Sequence, residues 1–550
     1  MSQVQVKRAR AVRFGIAVAV IAVVAATAGT SSGSDKTAAG GGTFTYRAAS
    51  DWFTMDFQTR ATGAVIAASF AAYDTLTRLT PAGGLVGDLA SSWTVAPKNR
   101  PKVFTFVIKK GITCDDGHVL TATDVMNSMN RFITVPKLVN NVPQLFGNGP
   151  FTMKANDNPS GGGGTFTFTT QTPFANMLLG FSESGIICPA GLAAAAADPT
   201  ALQAASYGTG PYKLVSATHN VNAIWQKKST YTWGPPGVEL YNLPDTVIWS
   251  DITDQTTAAN EVLTGQVDYA TILGPDVQRL ASNSSLQHDT YQDYFSKPLI
   301  FNQENGHVTQ DPKVREALMM AINMKDFAAA AGYKGTIDPS VLNPKDPCYD
   351  PNIQKYVPQY NISGAQKVLE ADGYTLQNGV MMKNGQPLHI RVLMSTDLTG
   401  GAGQYLLAQD KAVGFDVDLA DVDATTYSIQ GNAENFDESI VFNNAPFSWK
   451  AGRAYSMSTW IGKGLQAGGS NRGWTGRDSN AYQQAALYAT ERTDCKWWIK
   501  FQELALQNYE IYPTVEITKD SFGDKRFQGP FETAFYDPIW LKPYQSNHNG

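Results

Sequence analysis

The four cysteines and six histidines are the side chains best suited to metal or redox chemistry, and their spacing argues against both. No C-x-x-C pair occurs, and the histidines are isolated along the chain. Metal sites and metalloprotease helices bring such residues together at short, regular spacing. The sequence also has no H-E-x-x-H motif, and no S-x-x-K motif with its partner sequences. We therefore expect no metal, no cofactor and no catalytic residues, with an exported enzyme as the less favoured alternative.

The first 28 residues have the layout of a signal peptide. Four basic residues between positions 7 and 13 precede an apolar run that starts at Phe14 and ends in small residues. The run of about 13 residues is too short to span about 30 Å of hydrocarbon, and Ala26-Thr27-Ala28 predicts cleavage before Gly29. An N-terminal membrane anchor is the alternative. We expect an exported chain that works on the periplasmic or cell-surface side of the membrane.

Position 30 bears on whether the exported chain stays at the membrane. A cysteine after Thr27-Ala28-Gly29 would resemble a lipoprotein signal, but the residue is Thr30, whose hydroxyl cannot form the lipid thioether. Residues 29–42 are rich in Ser, Gly, Thr and Ala and still look like the flexible tether that follows such an anchor. Either ordinary cleavage releases the chain, or the cysteine has been replaced in this version.

Composition and charge describe a globular protein without a nucleic-acid partner. The chain has 550 residues, 43% hydrophobic and 17% charged, with a net charge of −5. This length predicts several domains. The leader holds four of the positive charges, so the mature part is more acidic still. An acidic chain without a basic run offers no electrostatic footprint for phosphates, which argues against nucleic-acid binding.

The cysteines are expected to form disulfides. They are even in number, Cys114, Cys188, Cys348 and Cys495, and they lie in an exported chain. Four cysteines allow three pairings. We favour Cys114 with Cys188 and Cys348 with Cys495, because each pair would then lie within one lobe of the chain.

Strand and helix patterns alternate along the whole sequence. The alternating stretches TFTYRA, KVFTFVI and TFTFTT predict strands, whereas TATDVMNSMNRF predicts a helix with Thr123 as its N-cap. Later segments repeat the order helix, turn, strand. Mixed sheets covered by helices indicate an α/β protein.

Eight blocks, in family order, resemble the extracellular solute-binding proteins of family 5, which serve peptide-type and nickel ABC importers. Four of the blocks are YDTLTRLTPAGGLVGDLASSWTV, FTFVIKKGITCDDGHVLTATDVMNS, YGTGPYKLV and DPKVREALMMAINMKDF. The resemblance covers about residues 42 to 530. It implies a two-lobed periplasmic-binding-protein-like α/β fold (class II, cluster C), with an extra domain inserted in the N-terminal half. Most motif residues have a structural reason: Gly208, Gly210 and Pro211 suit a tight turn, since glycine adopts positive φ freely.

The resemblance also implies a domain layout. We expect a signal peptide (1–28), a flexible tether (29–42), lobe I (43–62, 208–300 and 515–545), an inserted domain (63–207) and lobe II (301–514). Hinge closure would bury the ligand between the lobes. The implied partners are a small-molecule or oligopeptide ligand and the permease and ATPase subunits of an ABC importer, with the chain itself a monomer.

Nine residues are expected to line the cleft because of their positions relative to the family pattern. Aromatic and amide side chains among them suit a neutral, hydroxyl-rich or amide-rich ligand, and an arginine could hold a carboxylate. They are Trp52, Phe53, Arg60, Ser182, Glu183, Phe442, Asn443, Asn444 and Trp449.

One expected residue of peptide-binding relatives is missing. In such relatives an Asp shortly after a G-W pair binds the α-amine of the ligand, but Pro446 stands about there and no carboxylate occurs from Ser439 through Ser456. A buried ammonium group needs a counter-charge. A short free-amine peptide therefore requires another anchor, for which Glu183 and Glu438 are the candidates.

Two binding functions follow from the sequence. The first is the substrate receptor of an ABC importer with a peptide-like ligand. The second is a released sensor or scavenger that feeds no transporter, which Thr30 keeps open. The ligand of either could instead be a sugar, an amide-rich metabolite or a nickel complex.

Overall fold

The computed structural model describes residues 41–49, 51–52, 54–59, 68–81, 84–136, 142–147, 149–292, 298–335, 337, 348–440, 480–515, 518–528 and 537–543. Contacts group Ala39–Gly550 into one compact unit. The predicted signal peptide and Thr30 lie outside the described residues. Among the helices in the described ranges, none is both long enough and apolar enough to cross a membrane.

Helices and strands alternate as the sequence predicts, so the α/β class is confirmed. The strands are β1 (Thr43–Ala48), β2 (Thr77–Leu79), β3 (Leu85–Gly87), β4 (Ala90–Ala96), β5 (Val103–Ile108), β6 (Phe151–Asp157), β7 (Gly164–Thr170), β8 (Tyr212–Thr218), β9 (Asn222–Lys227), β10 (Thr246–Asp251), β11 (Tyr269–Ile272), β12 (Leu286–Gln292), β13 (Leu299–Phe301), β14 (Thr375–Gln377), β15 (Val380–Lys383), β16 (Gln386–Pro387), β17 (His389–Ser395), β18 (Asp416–Val422), β19 (Glu438–Ile440), β20 (Ile511–Tyr512), β21 (Thr518–Asp524), β22 (Phe527–Gln528) and β23 (Lys542–Pro543).

The helices pack on the faces of these sheets. They are α1 (Ala122–Thr134), α2 (Val142–Phe146), α3 (Met177–Glu183), α4 (Pro189–Ala197), α5 (Gln255–Thr264), α6 (Asp276–Ala281), α7 (Pro312–Ala321), α8 (Met324–Ala330), α9 (Ile362–Ala371), α10 (Thr396–Thr399), α11 (Ala402–Val413), α12 (Ala424–Asn432), α13 (Asn480–Glu491) and α14 (Lys496–Gln507). Short 3₁₀ turns add Leu240–Asn242, Val308–Gln310, Pro351–Tyr356 and Pro538–Trp540.

Three sheets carry the architecture. The seven-stranded sheet has the order β12-β21-β11-β1-β10-β9-β8, the five-stranded sheet β18-β17-β19-β13-β20 and the four-stranded sheet β4-β5-β7-β6. In the first, β1 runs parallel to β10 and β11, and in the second, β17 runs parallel to β18 and β19. The chain passes between these two sheets twice, from β12 to β13 and from β20 back to β21. These two crossing segments, 293–298 and 513–517, are the covalent links between the sheets.

Two large apolar cores lie behind these sheets. One continues from the seven-stranded sheet into the four-stranded sheet, where the ring of Phe181 contacts those of Phe106, Phe146 and Phe168 with centroids 4.7, 5.1 and 5.3 Å away. The other fills the space between the five-stranded sheet and its helices. Each core is built from its own part of the chain.

The N-cap of helix α1 lies two residues earlier than the sequence predicts. Thr121, not Thr123, is the N-cap: its hydroxyl accepts from the Asp124 N–H, and the Asp124 carboxylate accepts from the Thr121 N–H at 2.9 Å. This reciprocal pair is a capping box. Thr123 instead donates to Asp157 on β6, through its N–H at 2.8 Å and its hydroxyl at 2.7 Å. The prediction was wrong because a tertiary partner competes for the second threonine.

The glycines of the GTGPY block are needed for a close approach and not for a turn. A Cβ atom on Gly208 would lie 2.0 Å from the carbonyl oxygen of Ala72, and one on Gly210 would lie 2.5 Å from the Ala72 carbonyl carbon. Neither glycine has a positive φ, so the expectation of a left-handed turn was wrong. The N–H of Gly210 donates to the same Ala72 oxygen at 2.9 Å. The two backbone segments therefore touch without side chains between them.

Gly208→Ala should destabilise the protein by about 1–3 kcal/mol, because the added methyl group meets a backbone oxygen that cannot move aside easily. The measurement is the midpoint of urea-induced unfolding. Gly84→Ala is the matched control, since its Cβ would meet only the Thr80 hydroxyl, at 3.3 Å. Equal midpoints for the two variants would contradict the close-approach explanation.

Two disulfides are present, with the pairing that the sequence favours. Cys114 is bonded to Cys188, and Cys348 to Cys495. The first joins the turn before α1 to the N-cap of α4, and the second fixes the N-cap of α14. Each disulfide therefore fastens the start of a helix within one of the two large cores.

Candidate functional site

The carboxyl ends of the parallel strands of both sheets lie at the edges where the crossing segments attach. In the seven-stranded sheet, the end of β12 pairs with the start of β21, the end of β11 lies beside them, and β1 and β10 run in the same direction as β11. In the five-stranded sheet, the start of β13 pairs with the ends of β19 and β20, and β17 and β18 run parallel to β19. Ligands of open α/β sheets bind at such carboxyl edges. The space between these two edges is therefore the candidate site.

At the edge of the seven-stranded sheet, Trp52 stacks on a histidine. Trp52 follows β1 and is fully buried, and its ring lies 4.1 Å from that of His219, with an angle of 21° between the ring planes. His219 comes from the hairpin turn between β8 and β9, and about half of its side chain is exposed. Among the described residues, no acceptor bonds the indole Nε1 of Trp52. A buried donor in this state is rare unless water or a ligand accepts from it.

Two aspartates complete this edge. Asp51 Oδ2 lies 2.8 Å from His219 Nδ1, and Asp51 Oδ1 accepts from the Asn220 N–H at 3.2 Å. Burial raises the pKa of Asp51, but the hydrogen bonds with His219 and Asn220 outweigh burial and hold its pKa below the usual value. Burial, together with the Asp51 carboxyl group, raises the pKa of Asp251 to about 7, against the hydrogen bond from Trp249. The edge therefore combines a carboxylate with a carboxyl group that titrates near neutral pH.

Polar side chains also end the parallel strands of the five-stranded sheet. Ser395 is the last residue of β17, fully buried, and its hydroxyl has no hydrogen-bond partner in the part of the chain that the structure describes. Asp421 lies near the end of β18, where it accepts from the Thr396 N–H, and burial raises its pKa. Its Oδ1 likewise bonds to no described residue. These two groups place polar atoms that have no described partner at this edge.

The loop that carries Trp52 is held in place by Arg131 on α1. The Arg131 guanidinium donates to both carboxylate oxygens of Asp56, at 2.9 and 2.6 Å, and to the Gln58 side-chain oxygen at 2.8 Å. The Gln58 amide nitrogen reaches the Ser128 hydroxyl on the same helix at 3.2 Å. Paired, bidentate contacts of this kind fix geometry as well as charge. Residues 54–59 are thus positioned by α1.

The other residues predicted from sequence are only partly described. Ser182 and Glu183 end α3 and are buried, and the Ser182 hydroxyl donates to the Leu179 carbonyl oxygen at 2.7 Å. Their role in binding stays a prediction. The remaining predicted residues lie outside the described ranges, namely Phe53, Arg60, Phe442, Asn443, Asn444 and Trp449.

Sequence reasoning missed Asp51, His219, Asp251, Ser395 and Asp421. His219 lies 168 residues from Asp51, so no local motif joins them. The usable signal was position: all five stand within three residues of the carboxyl end of a strand, which becomes informative only when strand order is known. Within the described ranges, no three His, Cys, Asp or Glu residues converge to hold a metal ion.

Solved structures share this fold. A substrate-binding protein from Microbacterium hydrocarbonoxydans, in complex with 4-hydroxybenzoate hydrazide, is 22% identical, with a TM-score of 0.73 over 91% of this chain and 99% of that one. A dipeptide-binding protein from Pseudoalteromonas sp. SM9913, in complex with Met-Leu, is 16% identical, with a TM-score of 0.74 over 91% of this chain and 100% of that one. The periplasmic-binding-protein-like fold implied by the sequence motifs is thereby confirmed.

Sequence comparison points to the same group of proteins. The glutathione-binding protein GsiB of Salmonella choleraesuis (strain SC-B67) is 25% identical over 306 residues, which are 52% of this chain and 52% of that protein. The chain thus spans about half the length of the curated relatives it matches. The family pattern "Bacterial extracellular solute-binding proteins, family 5 Middle" matches residues 84–460. Because that match covers more than half of the chain, this protein belongs to the bacterial extracellular solute-binding proteins of family 5.

Proposed function

We propose that this chain is the extracytoplasmic receptor of an ABC importer, which captures a peptide-like small ligand and delivers it to permease and ATPase subunits. The observation that carries the proposal is the position of two buried polar groups, Trp52 Nε1 and Ser395 Oγ, which have no partner among the described residues and lie at the carboxyl edges of the two sheets. A ligand between the edges would supply the missing partners. Closure of the two sheets around the ligand would then shield it from water.

The ligand class is inferred from the carboxylates available to bind an amine. The missing aspartate between residues 439 and 456 disfavours a free amine bound in the usual way of peptide receptors. Glu438, one candidate replacement, is fully buried and faces Asp410 on α11, so it is already engaged inside the core. A neutral or blocked peptide-like molecule therefore fits better than a short peptide with a free amino terminus, and a sugar or an amide-rich metabolite is the alternative.

Trp52→Phe should weaken ligand binding about tenfold, because an aromatic ring remains while a donor that has no partner among the described residues is lost. The measurement is the dissociation constant of a stabilising ligand, by calorimetry. Trp225→Phe is the matched control: its Nε1 is also buried without a described partner, but it lies within β9 in the core. Equal losses in the two variants would remove Trp52 from the site.

A melting-temperature panel tests the function. The chain from residue 31 onward would be melted with di- to pentapeptides, N-blocked peptides, sugars and Ni²⁺. A ligand at about 100 times its dissociation constant should add about 2.7 kcal/mol and raise the melting temperature by a few degrees. Stabilisation by one class, without chemical conversion of that ligand, supports a receptor. Chemical conversion of the ligand would instead indicate an enzyme. An unchanged melting temperature with every class of ligand would refute the proposal.

The released form is a second candidate, which Thr30 favours because it cannot carry a lipid. Expressed from its full sequence, a released chain should accumulate in the medium or periplasm. A Thr30→Cys variant should move to the membrane fraction if residues 27–30 otherwise form a lipoprotein signal. Membrane association of the unaltered chain would contradict release.

A further inference from the structure

The four-stranded sheet contacts a helix, α13, that packs against the core of the five-stranded sheet. Its tip consists of two loops, residues 97–102 between β4 and β5 and residues 171–176 after β7. The loops are joined to each other, since the Phe174 N–H donates to the Pro101 carbonyl oxygen at 3.0 Å. The tip is therefore one structural piece that carries both residues of the contact.

The tip bonds to the last turn of α13 in two ways. The Ala175 N–H donates to the Thr490 carbonyl oxygen at 2.8 Å. Arg100 Nη2 forms an ion pair with Glu491 Oε2. Glu491 is almost fully buried, whereas 43% of the Arg100 side chain is exposed. A nearly buried carboxylate is thus neutralised by a residue 391 positions away.

The position on α13 strengthens the ion pair. A helix C-terminus carries partial negative charge on its free carbonyl groups, so a cation there is favourable. Arg100 meets both this charge and the carboxylate of Glu491. We therefore expect the contact to be worth more than an average exposed ion pair.

The two partners of the contact belong to different cores. The tip continues into the first core through Phe174, whereas α13 packs into the second through Ala485 and Ala489. The disulfide at Cys495 holds the segment after α13 to the second core. Any movement of one core away from the other at these elements must therefore lengthen the distance between Arg100 and Glu491.

We propose that Arg100–Glu491 and Ala175–Thr490 form a latch that stabilises the closed arrangement of the two cores. The inference rests on the proposed function only where it assigns the latch to ligand capture. Breaking the latch shifts the equilibrium toward an open form, and a ligand that binds the closed form then binds more weakly in proportion to the loss of closed molecules. Arg100 and Glu491 are positioning residues in this scheme and contact no ligand.

Small-angle X-ray scattering of the chain from residue 31 onward, without ligand, tests the latch. Arg100→Glu places two carboxylates together, and we expect the ratio of open to closed molecules to rise about tenfold or more, seen as a larger radius of gyration. The charge-swapped variant, Arg100→Glu with Glu491→Arg, should recover much of the compact form. Raising the salt from about 0.01 M to about 1 M should increase the radius of gyration of the unaltered chain, because salt screens the attraction between Arg100 and Glu491. The same change should decrease the radius of the Arg100→Glu variant, because salt screens the repulsion between its two carboxylates.

Arg279→Glu is the matched control, because 42% of the Arg279 side chain is exposed and its ion pair with Asp276 lies within α6. It should leave the radius of gyration unchanged. Equal radii for Arg100→Glu and the unaltered chain, or equal expansion of the Arg279→Glu control, would overturn the latch. Since no ligand is present, either result is independent of the melting-temperature panel, which tests the function separately.

Discussion

Arg78→Met should lower the free energy of unfolding by about 3–5 kcal/mol. The Arg78 guanidinium is fully buried and contacts three carboxylates, Asp74 at 3.3 Å, Asp88 at 2.9 Å and Asp537 at 2.7 Å. Methionine keeps the apolar stem and removes the charge. Three buried aspartates would then repel one another without a counter-charge, and removing one partner of a buried cluster is far costlier than losing an exposed pair.

The surroundings of Arg78 explain the size of this effect. Even with the arginine present, burial and the Asp74 carboxylate raise the pKa of Asp88 to about 7. Tyr231 and Trp233 satisfy Asp74 with hydrogen bonds of 3.0 and 2.9 Å, so those rings depend on the cluster as well. Asp537 opens the turn that buries Trp540 and is 459 residues from Arg78. Loss of Arg78 therefore also loosens the C-terminal segment.

The midpoint of chemical unfolding measures the change in the free energy of unfolding, and the melting temperature should fall by several degrees. Arg526→Met is the matched control, because Arg526 also meets two aspartates but 64% of its side chain is exposed. Its loss should change stability by about 1 kcal/mol or less. A midpoint for Arg78→Met within that same small range would show that the buried cluster does not stabilise the fold.

Asp410→Asn with Glu438→Gln should flatten the pH dependence of stability. Asp410 on α11 and Glu438 on β19 are both fully buried, and no other described side chain or backbone donor bonds their oxygens. Burial raises the pKa of Glu438 to about 8 and that of Asp410 in the same direction. The folded protein therefore holds at least one proton between these groups at neutral pH.

The sign of the pH dependence follows from that proton. In the unfolded chain Glu438 releases it near its ordinary pKa of 4.5, whereas the folded chain keeps it up to about pH 8. Between these values the folded state binds more protons, so stability falls as pH rises, by about 1.4 kcal/mol per unit for each proton. Above pH 8 the loss is complete. The double amide variant holds no such proton and should be the more stable form at pH 8.

Urea unfolding at pH 5, 6, 7 and 8 measures this dependence. Glu503→Gln is the control, because Glu503 is a partly exposed residue of α14 that pairs with Lys500, and its replacement should leave the slope unchanged. A double variant with the slope of the unaltered chain would show that these two carboxyls do not retain the proton.

Features of the fold that depend on neighbouring residues could be predicted from the sequence. The α/β alternation, the family resemblance and the two disulfides could be predicted because hydrophobic period, motif order and cysteine parity are visible along the chain. Predictions failed where a contact with a residue distant in sequence determines the local structure. Thr121, not Thr123, caps helix α1, because Thr123 is hydrogen-bonded to Asp157. Position 208 requires glycine because the Ala72 carbonyl oxygen leaves no room for a Cβ atom.

The candidate site was only partly predictable for the same reason. Trp52 could be named because it stands in the first loop of the family pattern. Its neighbours His219 and Asp251 reach that edge through the order β1-β10-β9-β8, which no stretch of sequence displays. Sites built from several strand ends depend on topology, so their members become visible together only in the folded chain.

Native mass spectrometry of the chain from residue 31 onward, purified without denaturation, tests the central claim most directly. A receptor that closes around its ligand should retain one small molecule per chain, removable by mild unfolding and bound again on refolding. Trp52→Phe should retain less of it, whereas Trp225→Phe should retain the same amount. A ligand-binding function would be contradicted if the purified chain carries no small molecule and also binds no peptide, blocked peptide, sugar or nickel complex from solution.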